Sequence, residues 1–362
     1  RSRGAIGGVA VTADGGRPPA RGGSSPVDDA VLAMLLEVAG TPKPGNVDRR
    51  RDLADLRFES FLGGAVGARS GLELAARDRE REAADGDPSG EAPDGAPVGV
   101  AFERAVSGMV DRAGTNTQFG CLLLLVPLVR ATAIGDLSPA GVDRVTRDAT
   151  VDDAVAFYRS FERVDVTVDD PPADADALDV RRGGDAEPAL RERGATLRDV
   201  MALSASAGSG SGSPPGERVP DRNAQEWVEG FPRTFRAAEW ILTDDGPLAD
   251  RAARAFLGLL ATEPDTLVAT NRGPDVARDA MARAAAVVRG DGAEGELDGP
   301  ADRETGPLAG PPTPGAVHAV DLDDAETLAD AFVEEGMNPG TTADLTCAAL
   351  YVALRRGAEV AP

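Results

Sequence analysis

The chain has 362 residues, 61 acidic and 38 basic, and a formal net charge of −23. That length suits one large core or two domains. The sign of the charge argues against general nucleic-acid binding and docking on anionic membranes, both of which need an electropositive face. Lys43 is the lone lysine and His318 the lone histidine. Acid excess with lysine depletion is the usual dress of a cytosolic protein from a high-salt cell, where salt screens the surface repulsion. The charge therefore reports habitat more than chemistry. Two cysteines, Cys121 and Cys347, cannot build a disulfide framework or a four-cysteine zinc site. One histidine all but excludes Ser-His-Asp catalysis and multi-histidine metal sites. The longest apolar run, Cys121 to Val129, is too short to span a bilayer. Arg1 and Arg3 are followed by no apolar signal core, so a soluble cytoplasmic protein is expected.

In chain order, residues 1–25 are rich in Gly, Arg and Pro and are expected to be a disordered tail. Val31, Met34, Leu35 and Val38 sit at helical spacing behind Asp28 and Asp29, and Gly40 ends that helix. The two prolines of 41–48 rule out its continuation. Helices are expected over 58–78, where glycines imply close packing, and over 99–112. Another is expected over 117–133, the most apolar stretch, and another over 141–163. Val164, Val166 and Val168 alternate with polar residues, a weak strand signal. Helices resume at 223–242, 246–262, 275–289, 324–335 and 342–356. Flexible insertions are expected at about 80–97, 169–195, 208–222 and 290–316. The expected fold is all-α: a single large helical domain over 26–357 with acidic surface insertions.

Rare residues cluster. Asparagine occurs five times, at 46, 116, 223, 271 and 338, mostly in Gly- or Pro-marked turns. The lone lysine lies beside Asn46, where a compact ammonium differs in kind from a guanidinium fork. Four segments share one layout, a polar turn joined to an amphipathic helix: Pro42 to Asp48, Gly114 to Gln118, Glu263 to Gly273, and Asn338 to Asp344. Helix starts attract anions through free amides and the dipole. Gly45, Gly114, Gly273 and Gly340 permit close backbone approach. Lys43 and Arg272 can pair with phosphate oxygens, and Asp48, Asp265 and Asp344 can hold magnesium. Taken singly, each segment is better explained by a structural role such as helix capping. None fits the P-loop or the dinucleotide fingerprint.

At these same segments the sequence resembles the triphosphoribosyl-dephospho-CoA synthases. These are helical enzymes that make the prosthetic-group precursor for citrate lyase and malonate decarboxylase. The resemblance rests on Thr41-Pro42-Lys43-Pro44-Gly45-Asn46-Val47-Asp48, on Gly114-Thr115-Asn116-Thr117, on Asp265-Thr266 with Arg272-Gly273, and on Asn338-Pro339-Gly340-Thr341-Thr342-Ala343-Asp344-Leu345. It covers about residues 27–357. The family commonly has His-Lys-Gly after the Asn-Thr pair, where this chain has Gln118-Phe119-Gly120. It commonly has Gly-Ser where Thr341-Thr342 stand. His318 is a poor substitute for the missing histidine.

The resemblance implies transfer of the 5-triphosphoribosyl group of ATP to a ribose hydroxyl of 3′-dephospho-CoA, with release of adenine. It implies ATP as substrate and Mg²⁺ as cofactor. Positive charge develops on the sugar as the glycosidic bond breaks, so a nearby carboxylate and a base for the hydroxyl proton are needed. On that reading Lys43, Gly45, Asn46, Asn116, Thr117, Asn271, Arg272, Gly273, Asn338 and Gly340 bind ATP or acceptor. Lys43 and Arg272 take the triphosphate. Asp265 and Asp344 hold magnesium or face the developing cation, and Asp48 is the base. The alternatives are a related ATP-dependent transferase with another acceptor, motivated by Gln118-Phe119, and a non-catalytic helical binding protein.

Overall fold

The computed structural model describes residues 24–77, 97–169, 171, 175–206, 218–290 and 308–360. Among these residues the fold is all-α, with no strand; one isolated bridge joins Asp48 to Arg51. The helices are α1 (Pro26–Ala39), α2 (Phe58–Ala75), α3 (Val98–Ala113), α4 (Phe119–Ala133), α5 (Pro139–Arg147) and α6 (Val151–Ser160). They continue with α7 (Glu187–Arg193), α8 (Leu197–Ser206), α9 (Arg222–Glu229), α10 (Pro232–Thr243) and α11 (Leu248–Leu260). The last are α12 (Thr266–Arg272), α13 (Pro274–Arg289), α14 (Pro314–His318), α15 (Leu322–Glu334) and α16 (Gly340–Arg355). No helix of the described residues is long and apolar enough to cross a membrane.

α4 and α16 are apolar nearly all round, and such helices go to the centre of a bundle. Leu122, Leu124, Leu125 and Leu128 of α4 are fully buried, as are Cys347 to Ala353 of α16. Around this pair one core runs from Val27 of α1 to Ala353. A second cluster joins α11, α13 and α15, and a small one of Val38, Val47 and Phe61 lies beneath the 41–57 loop. The glycines of α2 do bring helices together: a Cβ on Gly67 would fall 2.1 Å from the Gly108 carbonyl of α3.

Several expected elements are divided or replaced. The helix expected over 141–163 is α5 and α6, because Thr150 and Asp153 form a capping box that starts a new helix. The helix over 223–242 is α9 and α10, broken where Gly230 and Phe231 take positive φ of 81° and 62°. The valines at 164–168 form no strand, since among the described residues no ladder pairs with them. The described part of 169–195 is not loop but two 3₁₀ turns, Asp176–Leu178 and Val180–Ala186, followed by α7, with Leu190 buried. α14 occupies the end of the stretch expected as the 290–316 insertion. Ser25 caps α1, Val219 is buried and Asp221 caps α9, so the ends of the expected tail and of the expected 208–222 insertion are part of the helical fold; residues 1–23, 78–96, 207–217 and 291–307, where the rest of the tail and insertion expectations fall, lie outside the described residues.

Candidate active site

α1 ends at Gly40, and the 41–48 turn folds back along it. Lys43 is 1% exposed; its ammonium pairs with Glu37 of α1 and donates 3.0 Å to Asn46 Oδ1. Asn46 Nδ2 in turn donates 2.9 Å to Asn338 Oδ1. Gly45 at φ +73° has Met337 directly beneath it, with the Met337 carbonyl 2.0 Å from where a Cβ would sit. The glycine therefore serves the close approach of two backbones, not of a ligand. Asp48 is fully buried. It accepts hydrogen bonds from Thr41 Oγ1, the backbone N–H groups of Lys43, Arg50 and Arg51, and the Arg51 guanidinium. Asp48 therefore holds the turn closed and presents no free oxygen.

Gly114 caps α3 in the left-handed conformation. Asn116 Oδ1 accepts from the Phe119 N–H at 3.2 Å, tying the turn to the start of α4. Gln118, buried, anchors its Nε2 on the Met34 carbonyl at 3.2 Å. Asp265 caps α12 through the Val268 N–H. Its other oxygen takes the Thr342 N–H and hydroxyl at 2.7 and 2.8 Å, so one buried carboxylate joins the starts of α12 and α16. Arg272 donates to the carbonyls of Glu335 and Gly336, just past the end of α15. Gly273 has open space around it.

α16 opens the last motif. From Thr341 to Ala353 every residue is buried except Asp344, which faces a cavity of about 460 Å³, within the size range of small-molecule sites. Asp344 Oδ2 accepts from Asn223 Nδ2 at 2.8 Å, and Oδ1 accepts from Cys121 Sγ at 3.2 Å. Protein surrounds the carboxyl on its remaining sides. That burial pushes it up to about 7, helped by the Glu37 and Asp265 charges and opposed by the bonds from Asn223 and Cys121. Burial raises Glu37 and Asp265 as well, with the Lys43 charge opposing at Glu37.

Of the residues singled out in sequence, Asn46, Asn116, Thr117, Asn271, Asn338, Gly340 and Asp344 line this cavity. Lys43, Gly45, Asp48, Asp265, Arg272 and Gly273 lie outside its lining. The local positive charge expected for a polyanion is not in the wall. Glu37, Asp165, Asp169, Asp179, Asp221 and Asp344 line it, and no arginine or lysine does among the described residues. The expected magnesium pair is also not assembled. Asp265 has its oxygens engaged away from the cavity. No three Asp, Glu, His or Cys side chains of the described residues cluster closely enough to hold a metal ion. Glu37, Gly120, Cys121 and Asn223 are cavity residues that sequence reasoning did not assign to the site. Two of them carried a signal, since asparagine occurs five times and cysteine twice in the chain.

These observations define an all-α enzyme whose carboxylate-bearing cavity is built largely from helix-terminal turns. The family model for CitG, ATP:dephospho-CoA triphosphoribosyl transferase, matches residues 24–361, and the chain belongs to this family. It is thus a transferase that moves the triphosphoribosyl group of ATP to dephospho-CoA. The fold is similar to a crystal structure from Archaeoglobus fulgidus provisionally assigned as a triphosphoribosyl-dephospho-CoA synthase. The TM-score is 0.52 at 20% identity, over 82% of this chain and 99% of that one. No curated protein matches the chain.

Proposed function

We propose that the cavity is where the transfer takes place, and that Asp344 is its base. The observation that carries this is the convergence of all four turns on one cavity whose wall opens to a single titratable residue of α16, Asp344. In this reading the bond between C1′ of the ATP ribose and N9 of adenine breaks. A ribose hydroxyl oxygen of dephospho-CoA bonds to C1′, and its proton passes to Asp344. Adenine leaves with the electron pair of the broken bond and takes a proton from solvent at a ring nitrogen, Asp344 returns its proton to solvent, and the triphosphate stays on the transferred sugar. A group titrating near neutrality is well matched to that proton. The carboxylate-rich wall also suits the positive charge that develops at C1′, which a lysine in the wall would oppose.

Asn46, Asn116, Thr117, Asn271, Asn338 and Gly340 contact substrate. Lys43 acts one layer behind, fixing Asn46 through its own bond to that side chain. Asp48 and Asp265 hold the turns in place rather than react, and Arg272 pins the loop before α16. Magnesium is expected as the counter-ion of the triphosphate itself, and chelation is expected to stop turnover. The acidic surface and the near-absence of lysine support a high-salt cytoplasm as the working environment.

The test is purified protein in high salt with ATP, magnesium and dephospho-CoA, followed by mass spectrometry. Adenine and a triphosphoribosylated acceptor are the expected products; ADP or AMP in their place would overturn the reading. Gln118 at the position where the family commonly has histidine favours one second reading, the same transfer to a different acceptor. That reading predicts adenine release only when another hydroxyl acceptor replaces dephospho-CoA.

A further inference from the structure

Three oxygen atoms of cavity-lining residues are buried and find no hydrogen-bond partner among the described residues: Thr117 Oγ1, Gln118 Oε1 and Asn223 Oδ1. Buried polar atoms are nearly always satisfied, so the two amide oxygens, which can only accept, point to donors brought by a ligand, while the Thr117 hydroxyl can accept or donate. The ionised triphosphate of ATP has no donor to offer. The nucleotide donates in two places only, its ribose hydroxyls and the exocyclic amine of its base.

The three acceptors are not equivalent. Thr117 Oγ1 and Gln118 Oε1 lie together against α2, at 2.3 and 3.4 Å from where a Cβ on Gly64 would be. Two neighbouring acceptors match a pair of hydroxyls. Asn223 comes from α9, and α8 packs against α9 and supplies Val200, Met201 and Leu203 to the same cavity. A single acceptor beside apolar wall matches the edge of a flat heteroaromatic ring. Asn223 is 8% exposed and its amide cannot turn freely. Nδ2 donates to Asp344 Oδ2 at 2.8 Å, and rotation would set the amide oxygen against that carboxylate. The free end of the side chain is therefore held as an acceptor.

We infer that Asn223 Oδ1 accepts a hydrogen bond from the exocyclic amine of adenine and so selects an amino-purine nucleotide over a 6-oxo one. This rests on the reading of the cavity as the ATP site. A 6-oxo purine sets a carbonyl oxygen against the Asn223 oxygen, and neither can supply a proton. Discrimination then comes from a repulsive, unpaired contact as much as from the lost bond.

Calorimetric titration with ATP and with ITP, each with magnesium in high salt and no acceptor, tests this. Wild type is expected to bind ATP at least about tenfold more tightly than ITP, as one well-made buried hydrogen bond allows. Asn223→Ala is expected to weaken ATP binding by about threefold through the lost bond and to tighten ITP binding by about threefold through the relieved repulsion, so the selectivity collapses. If that variant does not fold, the wild-type ratio decides alone. Equal affinity of wild type for the two nucleotides, or an equal loss for both in Asn223→Ala, overturns the assignment. Selective binding that depends on Asn223, in a protein that releases no adenine with any acceptor, sinks the transfer reading and leaves the base contact standing. Binding of neither nucleotide sinks both.

Discussion

Asn46 and Asn338, 292 residues apart in sequence, are joined by a 2.9 Å hydrogen bond from Nδ2 of the first to Oδ1 of the second. The bond ends a buried chain that starts at Glu37 and passes through Lys43. Through it the first and last motifs become one piece of cavity wall. Breaking a buried ion pair from one side strands the other charge. Lys43→Met is therefore expected to lower unfolding free energy by about 3–5 kcal/mol, and the double variant Glu37→Gln/Lys43→Met to recover most of it. Equilibrium urea unfolding in high salt measures both. A fully stable Lys43→Met protein that no longer binds ATP would instead make Lys43 a direct phosphate ligand.

Asp48 offers a clean separation of framework from chemistry. Both its oxygens are engaged within the 41–51 turn. Asp48→Asn keeps the shape but sets an amide nitrogen against at least one of these donors. A stability loss of about 1–3 kcal/mol is expected, with kcat per folded molecule within a few-fold of wild type. A stable Asp48→Asn enzyme with kcat reduced a hundredfold or more, on the scale of a lost general base, would return the base role to Asp48.

The pH dependence follows from Asp344. Its carboxyl ionises near 3.8 when unfolded and about 7 when folded. The folded state thus holds the proton more strongly between those values. The resulting stability is full below the lower value and is lost as pH rises through the upper one. Glu37, Asp221, Glu226 and Asp265, all raised mainly by burial, add contributions of the same sign. Turnover runs the opposite way, because the ionised form is the base, so kcat should climb through about pH 7. Asp344→Asn should erase that limb and lower kcat by about 10²–10⁴-fold. A rate profile unchanged in the variant would remove Asp344 from the chemistry.

Gly120 lies directly on the carboxylate. A Cβ there would be 1.9 Å from Asp344 Oδ2 and 2.7 Å from Asn223 Nδ2. Gly120→Ala is expected to displace the acid and to lower kcat by about 100-fold, the order expected for a misplacement of about 1 Å at a reacting group. The destabilisation should remain at about 1–3 kcal/mol, the usual range for overpacking. Steady-state kinetics beside a thermal melt separates the two effects. Unchanged kcat would mean that the Asp344–Asn223 geometry is not needed for the reaction.

Helix positions were legible because the signals are local. Apolar spacing marks α1, α4 and α16, while Asp265 caps a helix through its own backbone neighbour. The breaks at 148–150 and at Gly230–Phe231 were less legible, because apolar periodicity runs on across them while a capping box or a positive φ stops the helix. The valines at 164–168 misled for the opposite reason: a strand needs a partner that periodicity does not display.

What the chain alone determined is the all-helical class, the four turns and the family, since each is written in short runs of contiguous residues. What only the tertiary structure decided is the division of labour among the marked residues. Burial placed Lys43, Asp48 and Asp265 behind or beside the cavity, where their hydrogen bonds are already filled by the fold. It left Asp344 open, set Asn223 and Cys121 against it, and gave the site a wall of carboxylates. Exposure and proton affinity depend on neighbours drawn from distant parts of the chain, and no local pattern of residues encodes them.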